Sequence, residues 1–369
     1  MYSLYVYDED FVRQGVVENI NSLQWLSLFR EAGEAKLVCD ATDKNLDLLR
    51  KGWRLWCSEQ KESAIISQTE ISDTGEKSTL TVRALHSVNR WKDRVVMGTV
   101  LIKNVEAAML QIVNDNRRGL HGSTAPASGL KPTTDSQVSW DSVLTALEEL
   151  SLAHNLGFKE TFSENTLDEV FSVYEGTDRS VEGTDNFVGY LGDDIGNVSN
   201  IKIVDSDANW KNVAVVAGEG EGADRKVVVV SLGTEIGDDR RELWVDARDI
   251  SSTYQVATPT GEVDEDGNLE YDYVKHTYTA EEYEALLRTR GLEKLAETIR
   301  KLEVTVEASQ SLILYGKDYF LGDVLLIKLT RYGLKLSVRL VGVRTIYEST
   351  GRKVTLQLGD ITVLQEVKG

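Results

Sequence analysis

Cysteine is nearly absent. The two residues, Cys39 and Cys57, cannot build a disulfide framework in a chain of 369, and each lies in an apolar, strand-like run where a thiol acts as a small hydrophobe. Three prolines beside 29 glycines exclude a collagen-like repeat. Long apolar runs are missing too: the strongest, residues 227–232, falls far short of the roughly 20 residues that cross a bilayer, so no membrane-spanning segment is expected. The opening MYSLYVYDED lacks a basic stretch followed by an apolar one, which argues against a secretory signal and for synthesis in a cytoplasm. Basic charge is in deficit, with 41 Lys and Arg against 60 Asp and Glu. The resulting net −19 repels phosphate backbones and anionic lipid, which disfavours a general nucleic-acid binder.

What is present is a globular mixture, 41% hydrophobic and 27% charged, which excludes wholesale disorder. At roughly 150 residues per domain the length predicts two or three domains. The acid is concentrated. Residues 160–285 carry 9 basic and 30 acidic side chains, a net −21, whereas the flanking stretches are close to neutral. Such a concentration reads either as a solvated face or as an acidic surface turned toward a particular space or partner.

Over the first hundred residues apolar side chains recur with period two between turn signals, the mark of β structure. Leu26 and Leu28 before a turn at 31–33, with Ala35, Leu37 and Cys39 after it, predict a hairpin. Thr42 can cap a short helix from Asp43, with Leu46, Leu49 and Leu48 as its apolar stripe and Gly52 as its stop. Strands at 53–58, 64–72 and 77–85 follow, and so many short strands predict a small barrel or sandwich. From about Val100 the period becomes helical. Val105, Met109, Ile112 and Val113 share one face; Val143, Leu144, Leu147 and Leu150 share another, in a helix that Gly157 ends. Residues 119–136 read as a mobile loop, and strands at 157–162 and 170–174 make this region α/β. Thr279 and Glu282 have capping-box spacing for a helix that reaches Gly291 and resumes at 292–301 after a break.

The last seventy residues return to β structure and echo the first. Aligning Gly75 with Gly351 sets Thr74, Lys77, Thr79, Leu80 and Val82 against Thr350, Lys353, Thr355, Leu356 and Leu358. Upstream, the strand start at Gly52 resembles the one at Gly322. The same two signals in the same order at both ends of the chain predict an internal duplication.

Little here carries chemistry. Gly218, Gly220 and Gly222 are interleaved with Glu219 and Glu221, which would repel a phosphate, and a strand follows, so a glycine-rich hairpin is expected rather than a nucleotide loop. Asp264, Asp266, Asn268, Glu270 and Asp272 alternate as calcium ligands could, but the glycine and the terminal glutamate are misplaced for an EF-hand, so a solvated turn is favoured. His86, His121, His154 and His276 are scattered, with no zinc-ligand spacing, and read as surface or strand-end residues. There is no G-x-S-x-G elbow and no thiol-protease setting for either cysteine, and sixty acids make any carboxylate pair uninformative. No catalytic residue, metal site or cofactor is expected, and the chain is read as a non-enzyme.

The runs GEAKLVCDATDKNLDLLRKGW (33–53), STLTVRAL (78–85), DRVV (93–96), FSVYEGTDRS (171–180), KNVAVVAGEGEGADR (211–225), DRRELWVDARD (239–249) and YFLGDV (319–324) together resemble the siphovirus ReqiPepy-type tail protein family of phages and prophages of Gram-positive bacteria. The resemblance covers nearly the whole chain and implies a structural hub of the tail tip or baseplate, similar to the N-terminal module of tail-associated lysins. Such hubs are homotrimers in which two barrel-like domains per chain form a six-fold-like ring on the hexameric tail tube, with a passage for DNA. The implied location is the virion tail tip, assembled in the bacterial host cytoplasm. The implied partners are further copies of the chain, the distal tail protein, the tape-measure protein and tip or fibre proteins, while DNA passes without specific binding. The chain's end soon after the second barrel implies that any wall-degrading activity sits on another chain. The competing expectation is a cell-wall-directed tail protein that binds glycan or hydrolyses peptidoglycan.

The fold expected is β-rich α+β: a first β-barrel-like domain at 1–97, an α/β domain at 98–200, a second β-barrel-like domain at 201–238 with 303–369, and an acidic helix-containing insertion at 239–302. The net −21 segment is expected to line or approach the passage in part, since like charge keeps DNA from sticking. Glu219, Glu221 and Asp224 are the specific lumen-facing candidates.

Overall fold

The computed structural model of the chain describes residues 2–180, 189–233, 236–263 and 269–366. The first stretch forms β1 (Leu4–Tyr7), β2 (Arg13–Val16), β3 (Ile20–Leu28), β4 (Glu34–Asp40), α1 (Asp43–Leu48), β5 (Arg54–Cys57), β6 (Ala64–Asp73) and β7 (Ser78–His86). Alternation decides the faces: Ala35, Leu37 and Cys39 of β4 and Leu80, Val82 and Ala84 of β7 are buried together, around Trp25. Both cysteines are buried free thiols, and loss of solvation pushes each up to about 11. Thr42 caps α1 by accepting from the Asn45 N–H, but the buried leucines are Leu48 and Leu49, while Leu46 faces solvent.

Next come β8 (Thr99–Asn104), α2 (Val105–Asp115), β9 (Ser123–Thr124), β10 (Thr133–Ser139), α3 (Val143–His154), β11 (Gly157–Ser163) and β12 (Asp168–Tyr174). The two helices bury the predicted faces in one core with Trp91, Phe158 and Phe171. Asn155, in the left-handed conformation at φ 58°, ends α3, and Gly157 opens the next strand. The 119–136 segment is tethered: β9 pairs in parallel with β12, and the buried Glu106 carboxylate accepts from the backbone of Ser128 and, at 2.7 Å, of Leu130.

The remainder comprises β13 (Tyr190–Gly192), β14 (Val198–Ser206), β15 (Val213–Ala217), β16 (Val227–Ser231), β17 (Glu242–Asp246), β18 (Thr253–Val263), β19 (Leu269–Thr277), α4 (Ala280–Ala296), β20 (Lys301–Ala308), β21 (Val324–Leu329), β22 (Leu334–Glu348) and β23 (Gly351–Glu366). Thr279 and Glu282 close the capping box of α4. The helix passes through Gly291 unbroken, because the missing side chain lets it lie on β15 and β16; a Cβ there would come within 2.8 Å of Val216 and 2.9 Å of Val230. The β15–β16 hairpin, expected in the second barrel, instead pairs in parallel with β17 and shares a separate core with α4. Its valine run encodes a buried strand but not which sheet receives it.

One large sheet joins the two ends of the chain in the order β14-β20-β23-β22-β3-β4-β7-β6-β5-β1-β2, with β21 beside β22 and β13 beside β21. It does not close: among the described residues its path ends at β14 and β2, so no closed barrel is found where two β-barrel-like domains were expected. A five-strand order nevertheless occurs twice, as β3-β4-β7-β6-β5 and as β14-β20-β23-β22-β21, each set in the same chain order. The likeness reaches individual hydrogen bonds. Gly52 N–H donates to Ile66 O at 2.9 Å and Ile66 N–H to Trp53 O at 2.8 Å; Gly322 N–H donates to Leu340 O and Leu340 N–H to Asp323 O, both at 2.8 Å. Both glycines have positive φ, 87° and 94°, and both hairpins bulge immediately after the bonded residue, at 66/68 and 340/342. These bonds set Asp73–Ser78 against Tyr347–Arg352, two residues away from the alignment of Gly75 with Gly351 that the sequence motif suggests.

The halves meet at β22–β3, antiparallel from Gly342 opposite Leu28 to Glu348 opposite Ser22. Each lends the other a side chain: Phe29, at the end of β3, fills the core of the second half, and Tyr347 from β22 fills the core of the first.

Candidate assembly surface

β22 is fully paired along its outer edge, with β21 at residues 334–339 and with β3 at 342–348. β6 holds the corresponding place in the first half but pairs with β5 only through Ala64 and Ile65. Beyond them, residues 67–73 have no outer strand partner among the described residues, and all are exposed. Ile71 stands out in that run, a large apolar side chain 59% accessible on a bare strand. β14 is the converse case: among the described residues it is bonded to β20 on one side and open on the other, whereas its counterpart β3 is paired on both. Backbone donors and acceptors along such edges are a template for another strand.

A buried ionic network fixes the α/β unit against this sheet. Arg90 donates to Glu160 at 3.0 Å and forms an ion pair with Glu169 at 2.7 Å; Arg54, stacked 4.2 Å from the Phe11 ring, reaches Glu169 at 3.2 Å. Ser63 Oγ and Trp91 Nε1 complete the donors, to Glu169 and Glu160 respectively. Both carboxylates are buried, and loss of solvation raises Glu160 above its ordinary value although Arg90 opposes the shift. Sequence reading missed this set because its members lie on strands and turns far apart in the chain, and only tertiary packing brings them together.

Glu219, Glu221 and Asp224 share the β15–β16 turn. Glu221 and Asp224 are exposed and Glu219 is partly buried, its N–H donating to Tyr283 Oη at 2.8 Å. The turn also carries cations. Arg225 binds the carbonyls of Gly218 and Ala217 and pairs with Asp246, which Arg248 holds at 2.6 Å. Arg248 first, with Arg225, keeps the Asp246 carboxyl down at about 2. The glycine-rich run is thus a hairpin, as the sequence predicts, with mixed charge at its tip.

Of the calcium-like run, Asp264, Asp266 and Asn268 lie outside the described residues. Among the described residues no three His, Cys, Asp or Glu side chains are placed to hold a metal ion. His86 is a strand-end residue, but a buried one, packed on Trp25 with its pKa lowered by burial.

Comparison with solved structures finds the same fold over nearly the whole chain. The tail protein from Neisseria meningitidis MC58 is 14% identical with a TM-score of 0.56, covering 97% of this chain and 96% of its own. The 43 kDa tail protein of prophage MuSo2 from Shewanella oneidensis is 10% identical with a TM-score of 0.57, covering 96% and 98%. No curated protein matches the sequence. The model of the Siphovirus ReqiPepy6 Gp37-like protein family matches residues 3–360, and this chain, with the β-rich fold of phage and prophage tail proteins, belongs to that family.

Proposed function

We propose that the protein is a structural hub of a phage or prophage tail tip, a homotrimer forming a ring between the tail tube and the distal tip and leaving a passage for DNA. The five-strand order that occurs twice carries this reading. Two similar β units per chain allow three chains to present six similar surfaces, which is what a hexameric tube requires of a three-fold partner. We read the two units as products of duplication, with the β15–β16 hairpin, β17, β18, β19 and α4 inserted into the second. The neighbours in this role are the distal tail protein and the tape-measure protein on the tube side and tip or fibre proteins beyond. The hub works by shape and strand pairing and performs no catalysis. Cryo-electron microscopy of the tail tip tests the proposal: three copies around the passage are expected, and six copies or one would overturn it. Release of muropeptides from Gram-positive cell wall by the purified chain, abolished by one carboxylate substitution, would overturn the non-enzymatic part.

A further inference from the structure

We propose that the open edge of β6 in one copy pairs antiparallel with the open edge of β14 in a second copy, with Ile71 opposite Ile203. The inference rests on the ring reading and gives it a strand register. Within one chain the junction between halves is β22 against β3. The first-half counterpart of β22 is β6, and the second-half counterpart of β3 is β14; among the described residues each of these two strands has an edge with no strand partner. A contact between one copy's β6 and the next copy's β14 repeats the intrachain junction between chains. Such a head-to-tail interface propagates until it closes.

The register follows from pairings already described. Ile66 and Leu340 are equivalent through their matching bonds to Gly52 and Gly322. Their partners Ala84 and Leu358 face Ala35 and Val304, and these in turn face Trp25 and Ile203. Thr345 lies opposite Trp25 at the intrachain junction, and its counterpart five residues beyond Ile66 is Ile71. Ile71 therefore meets Ile203, flanked by Gln68 with Ser206, Thr69 with Asp205, Glu70 with Val204 and Ser72 with Lys202. No like charges face each other across these five pairs, and Lys202 lies diagonal to Glu70, within reach of a long side chain. At the intrachain junction Thr345 and Trp25 are each only 1% exposed, whereas Ile71 is 59% exposed in the single chain. The pairing covers that side chain and completes the backbone bonds of both edges.

Purified tails carrying Ile71→Cys and Ile203→Cys test the register, because directly opposed strand residues have Cβ atoms about 4.5–5.5 Å apart, near disulfide reach. Cys39 and Cys57 are fully buried and do not compete. Non-reducing electrophoresis should convert most of the monomer band to linked trimer. Ile71→Cys with Lys202→Cys, on opposite faces, should stay monomeric. Tails whose tips hold three copies but yield no link between positions 71 and 203 overturn the edge pairing and leave the ring reading standing. Linked ladders that run beyond three chains keep the edge pairing and sink the trimer. Ile71→Lys supplies a second readout: at an exposed site it should leave the melting curve of the free chain unchanged while cutting incorporation into tails roughly ten-fold or more. Undiminished incorporation overturns the pairing.

Discussion

Replacing Arg90 by alanine removes the one side chain that bridges both buried carboxylates. Glu169 keeps Arg54 and Ser63, but Glu160 keeps only the Trp91 N–H as a hydrogen-bond donor, with the Arg117 charge nearby, in a site where its carboxylate side chain has no solvent exposure. Deleting one partner of such a pair costs about 3–5 kcal/mol, because the remaining charge is buried without compensation. The loss should be local, so native-state hydrogen exchange along β11 and β12, which carry Glu160 and Glu169, is the assay. At about 1.4 kcal/mol per factor of ten, exchange there should accelerate roughly 10²- to 10³-fold near neutral pH. The pH dependence gives a second check. Burial places the folded pKa of Glu160 above its unfolded value of 4.5, so protonating it stabilises the fold; that contribution is full below the unfolded value and lost as pH rises through the folded one. Without Arg90 the folded value climbs further, so the deficit of the variant should be greatest near neutrality and shrink as pH falls toward the ordinary glutamate range. Glu160→Gln in the same chain should recover part of the loss. An acceleration below ten-fold, or a deficit that grows on acidification, would refute the claim that Arg90 compensates buried charge.

Three further outcomes are expected. Gly291→Ala gains about 1 kcal/mol of helix propensity but drives a Cβ onto Val216 and Val230, an overpacking that costs about 1–3 kcal/mol, so urea denaturation should show a small net destabilisation of the unit around α4. Asp246 is depressed, so the contribution of its pairing with Arg248 and Arg225 is present above the usual aspartate value and lost as pH falls toward about 2; carboxyl carbon shifts in an NMR titration should move only in that acid range. Reversing Glu219, Glu221 and Asp224 to lysine should leave tail assembly intact and slow DNA ejection most at low salt if the turn faces the passage, and ejection kinetics unchanged at low salt would remove these residues from that role.

Periodicity located most strands and helices, and the repeated T-G-x-K-x-T-L motif pointed to the two hairpins that hold corresponding places in the sheet. The motif misaligned them by two residues. A shift of two preserves which side chains point inward, so Leu80 and Leu356 look interchangeable in either register, and only the bonds at Gly52 and Gly322 decide. The β15–β16 hairpin was legible as a hairpin but not as belonging with β17 and α4, because strand pairing partners leave no local signal. For the same reason the open edges of β6 and β14 could not be read from sequence: residues 67–73 carry the mixed pattern of any half-exposed strand, and their bareness is a property of what does not sit beside them. Arg54, Arg90, Glu160 and Glu169 were hidden by an excess of acid that makes any single carboxylate unremarked.

The β22–β3 junction has a consequence for how the chain is made. Gln24 and Arg344, bonded across it, are separated by 320 positions in sequence, so a ribosome adding roughly 5–20 residues per second delivers the partner strand only some 16–64 s after β3 has emerged. During that interval β3 has the same bare edge that β14 keeps in the finished chain, and Trp25, its core side chain, lacks one of its neighbours. A nascent first half is therefore a competitor for the β6 edge of a completed copy. Slow synthesis of the last thirty residues should increase such mispaired species, and truncation before β22 should leave a first half that captures full-length chains instead of remaining inert.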